Sequence, residues 1–176
     1  GAIDTSLDGA DAFVTKVAAD GATLVYSTFL GGASSDYGLG LDVDASGGAY
    51  VTGYTAGGFP VTSGAFDVSF GGSSDGFIAK LSVSGALTYA GYLGGSNEDY
   101  GHDVAAGSTG EAFVTGYTCS SNFPPTSGSF DVSWNGGCDA FVTKVNAAGS
   151  ALVYSTYLGS GGFDFGRGIE VDAAGA

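Results

Sequence analysis

The chain of 176 residues carries 34 glycines and 3 prolines with 44% hydrophobic and 13% aromatic residues, short of a low-complexity composition and sufficient for one core of ordinary size. Its 4 basic residues against 18 acidic ones give a net charge of −14, which excludes nucleic acid and anionic lipid surfaces as partners, since affinity for both rests on Lys and Arg. No stretch approaches the roughly 18 apolar residues of a membrane helix and no basic-then-apolar leader opens the chain. The expectation is therefore a soluble chain without membrane insertion. Because it starts at Gly1 and lacks Met, it is expected to be a processed or internal piece of a longer precursor.

Short runs of β-branched and aromatic residues separated by Gly, Asp, Asn and Ser clusters predict strands. Asp outnumbers Glu by 15 to 3, which favours turns over helices because the short carboxylate competes for nearby backbone donors. In chain order, two strands are predicted around 11–17 and 24–30. Four follow at 38–43, 49–55, 75–81 and 87–93, then four more in the next unit. One at 166–171 brings the total to eleven. The connectors Asp44-Ala-Ser-Gly-Gly48 and Ser82-Val-Ser-Gly85 are of hairpin length with glycine where a positive φ is needed, and predict antiparallel neighbours. In the strand 75–81, Phe77, Ala79 and Leu81 alternate with Ile78 and Lys80; apolar groups on both faces predict a sheet covered on both sides.

The spacing of these elements is itself repeated. Asp11-Ala-Phe-Val-Thr-Lys16 returns as Asp75-Gly-Phe-Ile-Ala-Lys80 and Asp139-Ala-Phe-Val-Thr-Lys144, a period of 64 residues. Leu24–Gly31 matches Leu87–Gly94 and Leu152–Gly159, and Asp36-Tyr-Gly38 matches Asp99-Tyr-Gly101 and Asp164-Phe-Gly166. Tyr50–Thr55 pairs with Phe113–Thr118, Phe59-Pro60 with Phe123-Pro124, and Gly64–Phe70 with Gly128–Trp134, with an echo in Gly1–Leu7. Where the first unit has Leu41-Asp-Val-Asp44 the second has Val104-Ala-Ala-Gly107, so that hairpin turn is expected to be remodelled.

This set of motifs, in one order at one spacing across essentially the whole chain, resembles the SBBP repeat, a bacterial β-propeller repeat family. The resemblance implies an all-β, propeller-type array of four-stranded antiparallel blades, about 64 residues per repeat, in a secreted or cell-surface protein. One repeat array is expected over 1–176: the end of one unit at 1–30, blades at 31–93 and 94–158, and the start of a next blade at 159–176. The array is incomplete, since a closed propeller takes 4 to 8 blades.

Repetition sorts the candidate site residues, because an enzyme needs one active site whereas a scaffold needs the same contact in every unit. Asp4, Asp67 and Asp131, Asp11, Asp75 and Asp139, and Asp36, Asp99 and Asp164 each precede or enter a strand and read as caps on backbone N–H groups. The alternative is calcium, which wants six to eight oxygen ligands on loops. Candidates are Asp36, Asp99 and Asp164 together with Asp42 and Asp44, whose oxygen donors alternate before Gly47 but lack the rest of a calcium loop. No cofactor is required. Lys16, Lys80 and Lys144 are expected to reach a repeated Asp. Tyr26, Tyr89 and Tyr154, with Phe29, Tyr92 and Tyr157, read as core, with a sugar-stacking surface as the alternative. His102, the one histidine, aligns with Leu39 and Arg167 and reads as an exposed or channel-facing position. Without partner ligands or a nucleophile elbow it carries no catalytic reading. Cys119 and Cys138 are expected to form a disulfide that staples the Phe-Pro loop, which implies an oxidising compartment; two buried thiols are the alternative.

The reading is a non-enzymatic structural or adhesive repeat protein of a bacterial surface, located extracellularly, that continues in a longer chain or assembles head to tail into filaments by completing blades between chains. The alternative is a calcium-dependent or glycan-binding module. A domain of a secreted hydrolase ranks third.

Overall fold

The computed structural model describes residues 4–172 and 175; the first residues of the Gly1–Leu7 echo and the extreme C-terminal positions of the last unit lie outside them. Ten strands are present among the described residues and no helix: β1 (Ala12–Val17), β2 (Leu24–Leu30), β3 (Asp36–Val43), β4 (Ala49–Thr55), β5 (Asp75–Leu81), β6 (Leu87–Leu93), β7 (Asp99–Ala106), β8 (Ala112–Thr118), β9 (Asp139–Val145) and β10 (Leu152–Leu158). They form a two-stranded sheet, β1-β2, and two four-stranded sheets in the orders β3-β4-β5-β6 and β7-β8-β9-β10. Every pairing within these sheets is antiparallel. The array does not close into a ring.

The hairpin turns follow from their glycines. Gly47 and Gly85 both sit at φ +84°, a region that costs an L side chain energy and costs glycine nothing. The turn after β7 was expected to be remodelled, yet its backbone is the same: Gly107 N–H donates to the Glu111 carbonyl as Asp44 N–H does to Gly48, and Gly110 takes φ +98°. Only the carboxylate has moved, from Asp44 to Glu111.

The predicted strand at 166–171 does not form; those residues are irregular. In the complete blades the first strand is paired within its sheet only to the second, β3 to β4 and β7 to β8, and no such neighbour lies beside 166–171 among the described residues. Gly166 N–H does reach the Gly116 carbonyl of the preceding blade at 3.0 Å, so the contact between blades is made where the ladder within a blade is not.

The β3–β6 sheet is buried on both faces. Phe77, Ala79 and Leu81 join Ala49 and Val51 in one core with Ala12, Val14, Tyr26 and Leu30 of the two-stranded sheet and Phe59 of the connector. Tyr50 and Ile78, on the other face, join a second core with Val104, Val114, Phe141, Val145 and Tyr157 of the next blade. The outer strands are also covered. Thr62 N–H donates to the Ala90 carbonyl and Tyr92 N–H to the Asp67 carbonyl, a pattern repeated by Thr126 with Ser155 and Tyr157 with Asp131. The Gly-Ala/Ser-Phe-Asp segment therefore seals the edge that an exposed strand would offer to other chains.

Candidate functional site

The three aspartate columns do the same work in each repeat. Asp4, Asp67 and Asp131 accept from the backbone N–H two residues on, at 2.7, 2.8 and 2.9 Å. Asp75 and Asp139 accept from Gly71 and Asn135 at 2.8 Å each, and Asp11 more loosely from Asp8 at 3.4 Å. Asp36, Asp99 and Asp164 accept from the residues four before them, Gly32, Gly95 and Ser160. Burial raises the pKa of Asp36, Asp75 and Asp139, and lifts Asp99 to about 6 against the opposing pull of Thr118, Gly95 and Ser120.

Of the calcium candidates, Asp42 and Asp44 are engaged separately. Asp42 accepts from Ala106 and Val43 N–H, both at 2.7 Å. Asp44 accepts from Ser46 and Gly48 and pairs with Lys80 at 3.5 Å, which together hold its pKa at about 2. Among the described residues no three His, Cys, Asp or Glu side chains converge. The lysines do not reach the repeated aspartates. Lys80 and Lys144 bind the turn carboxylates Asp44 and Glu111, the latter at 3.3 Å, and lie over the Tyr50 and Phe113 rings. Lys16 donates to the Gly47 carbonyl of the next blade. The side chain sits near the hairpin end of the sheet, where the turn supplies the nearest oxygens.

Cys119 and Cys138 form the disulfide, tying the end of β8 to the start of β9. Of the six aromatic residues in these strands Tyr26, Tyr89, Tyr92 and Tyr157 are buried core, whereas Tyr154 is half-buried and Phe29, also half-buried, lines a cleft beside Phe13.

A different set of aromatic residues lines the open surface. β3 and β7, the first strands of their blades, pack side by side, and each carries a bulge opposite its second strand. Gly38 pairs with Gly53 and Gly40 with Thr52, which leaves Leu39 without an opposite residue; Gly101 pairs with Gly116 and Asp103 with Thr115, which leaves His102 likewise. Bulges turn a side chain out of the pleat. Here Leu39 and His102 turn into a cleft of about 560 Å³ completed by Tyr54, Tyr100, Tyr117, Phe165 and Arg167. The tyrosines form a continuous row, with ring centroids 4.8 Å apart for Tyr37 and Tyr54, 4.0 Å for Tyr54 and Tyr100, and 4.8 Å for Tyr100 and Tyr117. Phe165 meets Tyr117 edge-on at 4.9 Å. Burial, then the neighbouring Tyr100, raises the pKa of Tyr54 and Tyr117. His102 Nδ1 lies 2.8 Å from the Gly166 carbonyl, which makes it the protonated nitrogen and fixes the ring. The aligned position Leu39, His102 and Arg167 was legible in the sequence. The tyrosine row was not read there, although Asp-Tyr-Gly and Thr-Gly-Tyr-Thr recur, because only pairing places Tyr37 opposite Tyr54 and Tyr100 opposite Tyr117.

Residues 25–60 match the family model SBBP, a beta-propeller repeat. The matched stretch runs from β2 through β3 and β4 to Phe59-Pro60, and its motifs return in the following repeat. No curated protein matches the chain.

Proposed function

The chain carries the SBBP β-propeller repeat, and from that premise we propose that it is a non-enzymatic, extracellular structural and adhesive element of a bacterial surface. The disulfide supports an oxidising compartment. The observation that carries adhesion is one aligned position, Leu39 and His102 on their bulges and Arg167 in the irregular segment after β10, which changes chemistry from repeat to repeat inside an aromatic frame that stays nearly constant. Repeat arrays present extended concave surfaces for binding, and a varying position within one gives it a distinct chemistry in each repeat. Glycans are one such partner class. Immobilised full-length chain screened against a glycan array and a panel of extracellular matrix proteins is expected to give a ligand whose binding falls at least tenfold in the His102→Ala, Arg167→Ala double variant. Silence across both panels, or a ligand indifferent to those two positions, would remove the adhesive reading.

Self-association is the second reading, and one observation favours it. β5 and β9 each pair on one edge with a second-position strand, β4 and β8, whereas among the described residues β1, which occupies the same place in its sheet, has no such neighbour. That open edge suits a strand from another copy or from a continuation of the chain. Native mass measurement with electron microscopy decides it; a stable monomer of 17.2 kDa rejects assembly between copies.

A further inference from the structure

We propose that each junction between blades holds a calcium ion, or a hard divalent cation of similar size, between the aspartate that opens a third strand and the aspartate that opens the first strand of the next blade. The pairs are Asp11 with Asp36, Asp75 with Asp99, and Asp139 with Asp164. Backbone geometry sets the members of each pair side by side. Ser74 bridges to Glu98 and Cys138 to Phe163 in parallel sense. The N–H groups of Asp36, Asp99 and Asp164 donate to the carbonyls of Ala10, Ser74 and Cys138, the residues just before the other aspartates.

The Leu-Gly-Gly/Ser motif runs past these carboxylates, and at Gly31 it lies between the two. A Cβ on Gly31 would lie 2.6 Å from Asp11 Oδ1 and 2.7 Å from Asp36 Oδ2, and one on Gly94 or Gly159 would lie 2.6 Å from the carboxyl carbon of Asp75 or Asp139. The next residue in each case, Gly32, Gly95 or Ser160, donates its N–H to the second aspartate. At Gly31 two carboxylates thus flank one small space; at the other two junctions Gly94 and Gly159 abut Asp75 and Asp139 while the next residue's N–H binds Asp99 or Asp164.

That space has oxygen atoms to spare. Asp36, Asp75, Asp99 and Asp139 are at most 1% exposed. Yet Asp11 Oδ1, Asp36 Oδ1, Asp99 Oδ1 and Asp139 Oδ1 are buried without a hydrogen-bond donor of good geometry, because the Thr55 and Thr118 hydroxyls beside Asp36 and Asp99 donate to the Gly57 and Ser120 carbonyls. A buried carboxylate oxygen without a donor is costly, and a second carboxylate beside it adds repulsion. The basic groups that could neutralise the pairs are engaged elsewhere, Lys80 and Lys144 with Asp44 and Glu111, Lys16 with the Gly47 carbonyl and Arg167 over the Phe165 ring. A calcium ion answers both demands, since it takes carboxylate oxygens in irregular geometry and completes its shell with carbonyls and water. With two acidic ligands per site and no third converging, affinity falls in the weak range of extracellular modules, roughly 10⁻⁴–10⁻³ M.

The full chain, stripped with EDTA, is melted with and without calcium. At about 10 mM CaCl₂ the three sites together are expected to raise the midpoint by about 10 °C, reversed by EDTA. Terbium is expected to give tyrosine-sensitised luminescence that calcium displaces. Asp99→Asn and Asp36→Asn are each expected to lower the terbium stoichiometry, while Asp44→Asn leaves it unchanged. Absence of both the shift and the luminescence overturns the proposal, as does an equal shift with NaCl at matched ionic strength, which would be screening of the net charge. If either junction variant fails to fold, displacement of terbium by calcium from the wild-type chain still decides. Unchanged stoichiometry in the folded variants overturns the assignment to these pairs.

Discussion

Glycine in Asp-Tyr-Gly is required by the preceding blade, not by its own backbone. A Cβ on Gly101 would collide with the hydroxyl of Thr52, and one on Gly166 with that of Thr115. Both threonine hydroxyls are committed, donating to the carbonyls of Phe77 at 2.6 Å and Phe141 at 2.8 Å. Gly38 holds the same place in the same motif, but its nearest neighbour would be Ala12 Cβ at 3.4 Å. Gly101→Ala is therefore expected to cost about 2 kcal/mol, the scale of forced overpacking, and Gly38→Ala to stay within about 0.5 kcal/mol of wild type. Urea unfolding of the two variants checks this, and equal losses would show that the motif glycine serves its own strand.

At the scale of elements, the long connector between the second and third strands does two tasks that its glycines and Phe-Pro pair make compatible. Its middle seals the outer strand through the Asp67 and Asp131 carbonyls, and its aromatic anchor, Phe59 or Phe123, sits in the core against Phe77 or Phe141 at 4.1 and 4.6 Å. In the second blade the disulfide between Cys119 and Cys138 pins both ends of this connector. Cys119→Ser with Cys138→Ser is expected to cost at most about 3 kcal/mol, the chain-entropy contribution of a closed loop of about 20 residues. Hydrogen exchange should accelerate over 120–137 and leave β8 and β9 protected. Uptake of alkylating agent by the folded, unreduced chain would show free thiols instead.

Across the whole molecule the blades are joined by shared cores, so they cannot unfold independently. Ile78 is fully buried in the cluster that also holds Val104, Val114 and Phe141 of the next blade. Ile78→Ala is expected to cost about 2–5 kcal/mol and to move one cooperative transition rather than split it. Fluorescence of Trp134, in the second blade, and far-ultraviolet circular dichroism should report the same midpoint. Separate midpoints would mean that the blades are coupled more weakly than their common core requires.

Ten strand positions, the hairpin turns at Gly47 and Gly85, the period of 64 residues and the disulfide were legible in the sequence because each is local or repeated, whereas the turn after β7 was misread as remodelled because the loss of Asp44 at Gly107 hid its replacement by Glu111. The strand at 166–171 was misread for the complementary reason. A strand pattern becomes a strand only when a neighbour accepts its backbone groups, and that is a property of the pairing. Lys80 and Lys144 were assigned the wrong carboxylates because distance along the chain does not reveal that Asp44 and Glu111 sit in the turn at their end of the sheet. Above all, composition could count 15 aspartates but could not tell a cap from an orphan. Only tertiary packing puts Asp36 and Asp99 out of reach of water beside another carboxylate, and only the bulges in β3 and β7 turn Leu39 and His102 toward the tyrosine row, since both depend on which strand lies next to which.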